Sequence, residues 1–158
     1  MARGQNPVIG GTAPDFRLES LAGEVETLET VTAHGPALLV FYKVSCPTCQ
    51  LTLPYLGRLA GSGLQVYAIC QNDAESASEF NQEYEVALPT LLDAAAAGYP
   101  ASNAYGITHV PTLFLINPDR SIAWNSVGFL KKDLESLGQR FGVTLFGPAD
   151  RVPDWKGG

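Results

Sequence analysis

Ala37-Leu38-Leu39-Val40-Phe41-Tyr42-Lys43-Val44-Ser45-Cys46-Pro47-Thr48-Cys49-Gln50 is the stretch from which the architecture can be read. The six residues Ala37 to Tyr42, bounded by Pro36, form an apolar run without alternation, so they read as a central strand covered on both faces. Two cysteines with two residues between them follow, and they open a helical segment from about Cys46 to Ala60. Leu51, Leu53, Leu56 and Leu59 supply its apolar side, and Pro54 should kink it. On a strand-to-helix turn that spacing lets two sulfurs reach each other and close a small disulfide ring. The helix start also offers unpaired backbone N–H groups, which stabilise a thiolate on the first cysteine.

Working outward, Ala13 to Leu18 alternates like a half-buried strand and Val25 to Leu28 returns, a candidate β-hairpin ahead of the main fold. Glu29 to Ala33 reads as a short helical turn. Downstream, Leu64 to Cys70 is the next strand, and Ala74 to Tyr84 the next helix with Asp73 as N-cap. Pro89 to Leu92 reads as a short edge segment, and Asp93 to Ala97 and Ser102 to Tyr105 as helical pieces. Thr112 to Ile116, a turn at Asn117 to Arg120, and Ser121 to Val127 form a late hairpin. Leu130 to Phe141 is an amphipathic helix. The crossovers imply parallel pairing and the late hairpin an antiparallel edge. Residues 1–12 read as a flexible lead-in, 13–141 as one domain, and 142–158 as a tail whose Phe146 and Trp155 pack back on it.

Bulk properties narrow the function. The chain has 158 residues, enough for one real core. Its net charge of −6, with Lys131-Lys132 the only adjacent basic pair, argues against nucleic acid or an acidic membrane as partner. Three cysteines are too few for a disulfide scaffold, and no second ligand pair is present for a zinc ribbon. No cofactor or metal is expected. Met1 to Gly11 lacks the apolar core of a signal peptide, and no segment has the roughly 18 apolar residues of a membrane span, so a cytoplasmic protein is expected.

The pattern resembles the thioredoxin-like superfamily, in particular its TlpA/ResA-type redoxins related to AhpC/TSA proteins. The residues that carry the resemblance are Gly11 to Leu18, Phe41-Tyr42 before Cys46-Pro47-Thr48-Cys49, Leu53-Pro54, Tyr105 to Thr112, and Phe114 to Asp119. It implies an α/β fold, a three-layer α/β/α sandwich with a mixed central sheet and an N-terminal β-hairpin extension. It also implies a thiol–disulfide oxidoreductase in which Cys46 is the nucleophile and Cys49 the resolving thiol. Pro111 would be a cis-proline beside the disulfide, with Val110, Pro111 and Thr112 forming a turn that pairs with a substrate's extended chain. Pro47 and Thr48 between the cysteines, and Lys43 nearby, would tune thiol acidity. The implied partners are protein dithiols or disulfides and an electron donor of unknown identity; the protein itself is expected to be a monomer.

The chain departs from relatives of this kind at three places: Ser45 stands where thioredoxins carry Trp, Val40 where they carry a buried acid, and Thr52 where ResA-like proteins carry Glu. No carboxylate is therefore in place to accept a proton from Cys49. Two other readings compete. One is a peroxiredoxin-like thiol peroxidase, suggested by Cys-Pro-Thr, although Lys43 stands where that family has a Thr. The other is a redox-responsive binding module without turnover. Cys70 reads as a small core residue, and His109 as structural or solvated.

Overall fold

The computed structural model describes residues 6–158. Its framework is the strand foreseen at Ala37–Tyr42 (β3), in which all six side chains are buried. A strand buried on both faces needs a paired neighbour on each side. Gln65–Cys70 (β4) runs parallel to it in the register Ala37↔Gln65 to Tyr42↔Cys70, and Thr112–Ile116 (β6) runs antiparallel on the other side. Burying each large apolar side chain here is worth about 1.5–3 kcal/mol before entropy is charged, so this trio anchors the fold.

The sheet extends both ways from that trio. Ile122–Val127 (β7) pairs antiparallel with β6 and forms one edge, as the late hairpin foretold. Beyond β4 comes Thr90–Leu92 (β5), parallel to it. The hairpin of Arg17–Ser20 (β1) and Val25–Thr27 (β2) then attaches to β5 through β1. The order across the sheet is β2-β1-β5-β4-β3-β6-β7, mixed, with an N-terminal hairpin extension. The 89–92 segment, expected at an edge, is thus an interior strand, because the hairpin docks outside it. The first strand also begins later than expected. Asp15 Oδ1 accepts the N–H groups of Phe16 and Leu28, which turns the chain before Arg17 and leaves residues 13–16 outside the ladder.

Helices cover the sheet. Leu28–Val31 (α1) starts in a capping box between Thr27 and Thr30. Pro47–Leu56 (α2) carries the two-cysteine motif. It ends two residues beyond Pro54, whose ring removes one intrahelical donor, and passes into a 3₁₀ turn at Gly57–Leu59. Ala74–Glu83 (α3) is capped by Asp73, whose side chain accepts the Ser76 N–H at 2.9 Å. Pro100–Ala104 (α4) begins on a proline that supplies the fixed φ of a first helical turn. Lys131–Arg140 (α5) buries Leu134 and Leu137.

The two ends of the described chain lie on the fold. Gly10 donates to the Ile122 carbonyl, Ile122 to Gly11, and the Asn6 side chain to Gly106. At the other end Phe146 is buried, in ring contact with Tyr55 and Phe129, and Arg58 grips Asp150 through two hydrogen bonds. Trp155 departs from expectation. It is 65% exposed, and Trp155–Lys156 (β9) pairs antiparallel with Phe129–Leu130 (β8) in a second, two-stranded sheet.

Candidate active site

Cys46 sits where β3 has ended and α2 begins, and is the N-cap of that helix. Its Sγ accepts the Cys49 N–H at 3.2 Å, so one of the orphan donors of the helix start points at the sulfur. On its other side the same sulfur contacts the Val110 carbonyl at 3.4 Å, as thiol donor to a backbone acceptor. Cys46 is half-buried while Cys49 is fully buried, and no disulfide joins them. Burial pushes the Cys49 thiol well above its ordinary range, and the hydrogen bond with Cys46 pushes it further, while the Lys43 backbone acts in the opposite direction.

The loop holding the motif is fixed from neighbouring elements. Asn72, just past β4, accepts the Val44 N–H on its Oδ1 at 3.0 Å, and the Gln50 side chain donates to the Val44 carbonyl. The Asn72 N–H in turn meets the sulfur of buried Cys70. Asn72 therefore ties β4 to the turn before Cys46, a role that a turn-forming Gln-Asn-Asp sequence did not announce. Desolvation raises Cys70, whose side chain also lies against Tyr42.

The second half of the site comes from the residues before β6. The Val110–Pro111 peptide is cis. The Thr112 side chain is buried and donates to the His109 carbonyl at 2.6 Å, so it braces the loop from within. The Pro111 carbonyl accepts the Gly128 N–H. Lys43 is exposed and reaches the dithiol through its backbone, whose carbonyl accepts the Cys46 N–H. Pro47 is exposed at the helix start. Thr48 is 2% exposed, its hydroxyl given to the Gly157 carbonyl. His109 is exposed and its ring meets the Thr108 hydroxyl. A pocket of about 200 Å³ opens beside Val110, lined by Lys43, Gln71, Ser102, Asn103 and His109 among others. The fold thus brings Cys46, Cys49, Val110 and Thr48 together, keeps Thr112 behind the loop, and leaves Lys43 on the rim. Among the described residues no three His, Cys, Asp or Glu side chains cluster as metal ligands.

Such a fold and site define a dithiol redoxin. The chain belongs to the AhpC/TSA family, whose model matches residues 9–125. It is 32% identical over 113 residues to the thiol-disulfide oxidoreductase ResA of Halalkalibacterium halodurans, an alignment covering 68% of this chain and 62% of that protein. The chain therefore spans less than two thirds of that relative. Its fold matches the structure assigned as the thiol:disulfide interchange protein DsbE of Chlorobium tepidum, with a TM-score of 0.75, 26% identity, and coverage of 89% of this chain and 100% of the other. A secreted Mycobacterium tuberculosis disulfide oxidoreductase homologous to DsbE matches with a TM-score of 0.65 and 20% identity, over 80% and 94% of the two chains. The resemblance to TlpA/ResA-type redoxins, the thioredoxin-like fold and the oxidoreductase class of the relatives are all borne out. The expected cytoplasmic location is contradicted: proteins of this kind are extracytoplasmic, and the matching Mycobacterium tuberculosis oxidoreductase is a secreted one. No helix among the described residues is long and apolar enough to cross a membrane.

Proposed function

We propose that the protein is a thiol–disulfide oxidoreductase acting on cysteines of other polypeptides, with Cys46 as nucleophile and Cys49 as resolving thiol. The observation that carries this reading is the asymmetry of the pair. Cys46 is reachable and bounded by a backbone N–H and the Val110 carbonyl, whereas Cys49 is sealed beneath it and held protonated by burial.

In the reducing direction the Cys46 thiolate attacks one sulfur of a substrate disulfide. The S–S bond breaks, a mixed disulfide forms, and the departing thiolate takes a proton from solvent. Cys49 then loses its proton and attacks the Cys46 sulfur, releasing the second substrate thiol and leaving a Cys46–Cys49 disulfide. Two electrons pass to the substrate, and the reverse sequence oxidises a dithiol. Val110 and Pro111 form the wall along which an extended substrate chain lies. Thr112 shapes that wall from behind, and Pro47, Thr48 and Lys43 set the surroundings of the sulfurs.

The test is a trap. Cys49→Ser should still form a mixed disulfide at Cys46 with insulin but release it slowly, whereas Cys46→Ser should form none. Equal loss of insulin-disulfide reduction in both variants, with no trapped species on a non-reducing gel, would contradict the assignment of roles.

A further inference from the structure

The residues after Pro153 lie across the dithiol. The Lys131 N–H donates to the Asp154 carbonyl at 3.0 Å, and β9 pairs with β8, carrying the chain toward the site. The Gly157 carbonyl then takes the hydroxyl of Thr48, the residue between the two cysteines, at 2.5 Å. Gly158 lies against the backbone of Val110, the residue whose carbonyl contacts the Cys46 sulfur, so closely that a Cβ on Gly158 would run into that carbonyl. The crossing is built from glycines. A Cβ on Gly128, at φ +78°, would meet the Lys156 carbonyl at 2.9 Å, and the Trp155 ring lies over Gly157, where a Cβ would come within 3.3 Å. This segment falls outside residues 9–125, the part that matches the family model.

We propose that residues 154–158 are a built-in occupant of the peptide groove: an extended strap that sits on Val110 and Thr48 and that an incoming polypeptide must displace to reach Cys46. The inference rests on the oxidoreductase reading and adds to it the kind of partner the groove takes. An extended backbone with small side chains fits there, because the strap meets Val110 and Thr48 through Gly158 and Gly157. A folded protein surface cannot enter while the strap is down. A small disulfide, which needs only the sulfur, can. Lifting the strap from Asp154 onward breaks the Lys131–Asp154 hydrogen bond and the β8–β9 pairing, while the upstream Arg58–Asp150 pair stays in place.

The experiment compares the full chain with a version ending at Pro153 and with Gly158→Val, which forces the strap off Val110 without touching either cysteine. Each reduced protein is mixed with insulin and, separately, with cystamine, and the loss of the Cys46 thiol is timed. A groove open about one-tenth of the time in the full chain gives an insulin reaction about ten-fold faster in both variants, with cystamine changed by less than about two-fold. Insulin rates unchanged in both variants would overturn the proposal. So would slower insulin reactions at unchanged cystamine rates, which would make the strap a wall of the substrate site. If cystamine attacked the full chain no faster than Cys46→Ser, the oxidoreductase reading itself would fall, a result distinguishable from the other two.

Discussion

Cys49 concentrates the chemistry at the residue scale. Its thiol is raised by burial first and by Cys46 second, and no carboxylate acts on it among the described residues. A raised pKa means that the folded state favours the protonated thiol. The resulting stability is complete below the unfolded thiol's value, about 8.5, and is lost as pH rises from there toward the folded value. The reduced protein should therefore lose stability with rising pH above about 8.5 more steeply than reduced Cys49→Ser, as read by denaturant midpoints at pH 7 and pH 10. Parallel curves would show that Cys49 titrates as freely in the fold as outside it. The missing acids were legible in the sequence, because Val40 and Thr52 fill those places and both are fully buried. The work of Asn72 was not. Its hydrogen bond to Val44 spans 28 positions, and no local pattern announces a contact of that range.

Elements were read best where the chemistry of the chain is one-sided. A six-residue unbroken apolar run bounded by Pro36 is the length of an interior strand and too short for a buried helix, and Asp73 before a helical segment has few roles besides capping. What escaped was set by docking. The 90–92 segment is too short to show whether it lies at an edge, and the hairpin that pairs with it decides the matter. Helix α5 offers a sign test of packing over propensity. Glycine inside a helix ordinarily costs about 1 kcal/mol relative to alanine, so Gly138→Ala would stabilise an isolated helix. Here a Cβ on Gly138 would fall 2.6 Å from the backbone carbonyl of Val143, which donates its own N–H to Gly138. Gly138→Ala should therefore destabilise the protein by about 1–3 kcal/mol in chemical denaturation, through forced displacement of the 143–146 turn. A gain in stability would mean that the turn yields freely.

Taken whole, the molecule joins its last residues to its first functional ones. Thr48 and Gly157 lie 109 positions apart, and a Gly- and Pro-rich tail has no periodicity from which such a contact could be foreseen. The joint depends on Asp150. Hydrogen bonds from Arg58 and then from the Gly147 N–H hold its carboxyl down to about 2 from an ordinary 3.8. A depressed carboxylate contributes stability above the unfolded value, and that contribution disappears as pH falls through the folded one. Amides of the 143–158 segment should lose hydrogen-exchange protection between pH 3.8 and about 2, ahead of the central sheet. In Asp150→Asn they should be weakly protected at every pH. Protection that survives to pH 2 in step with the sheet would show that Phe146 packing, and not the ion pair, secures the segment.

Everything proposed rests on Cys46 and Cys49 forming one reversible two-electron couple. Equilibrating the protein against a graded glutathione buffer, quenching with an alkylating agent and mapping the sulfurs by mass spectrometry measures this directly. The expected result is a single transition between two free thiols and a Cys46–Cys49 bridge, with Cys70 unpaired throughout. Its midpoint also gives the direction, near −270 mV for a reductant and near −120 mV for an oxidant, on the scale of known dithiol proteins. A bridge through Cys70, or thiols that stay free across the whole range, would contradict it.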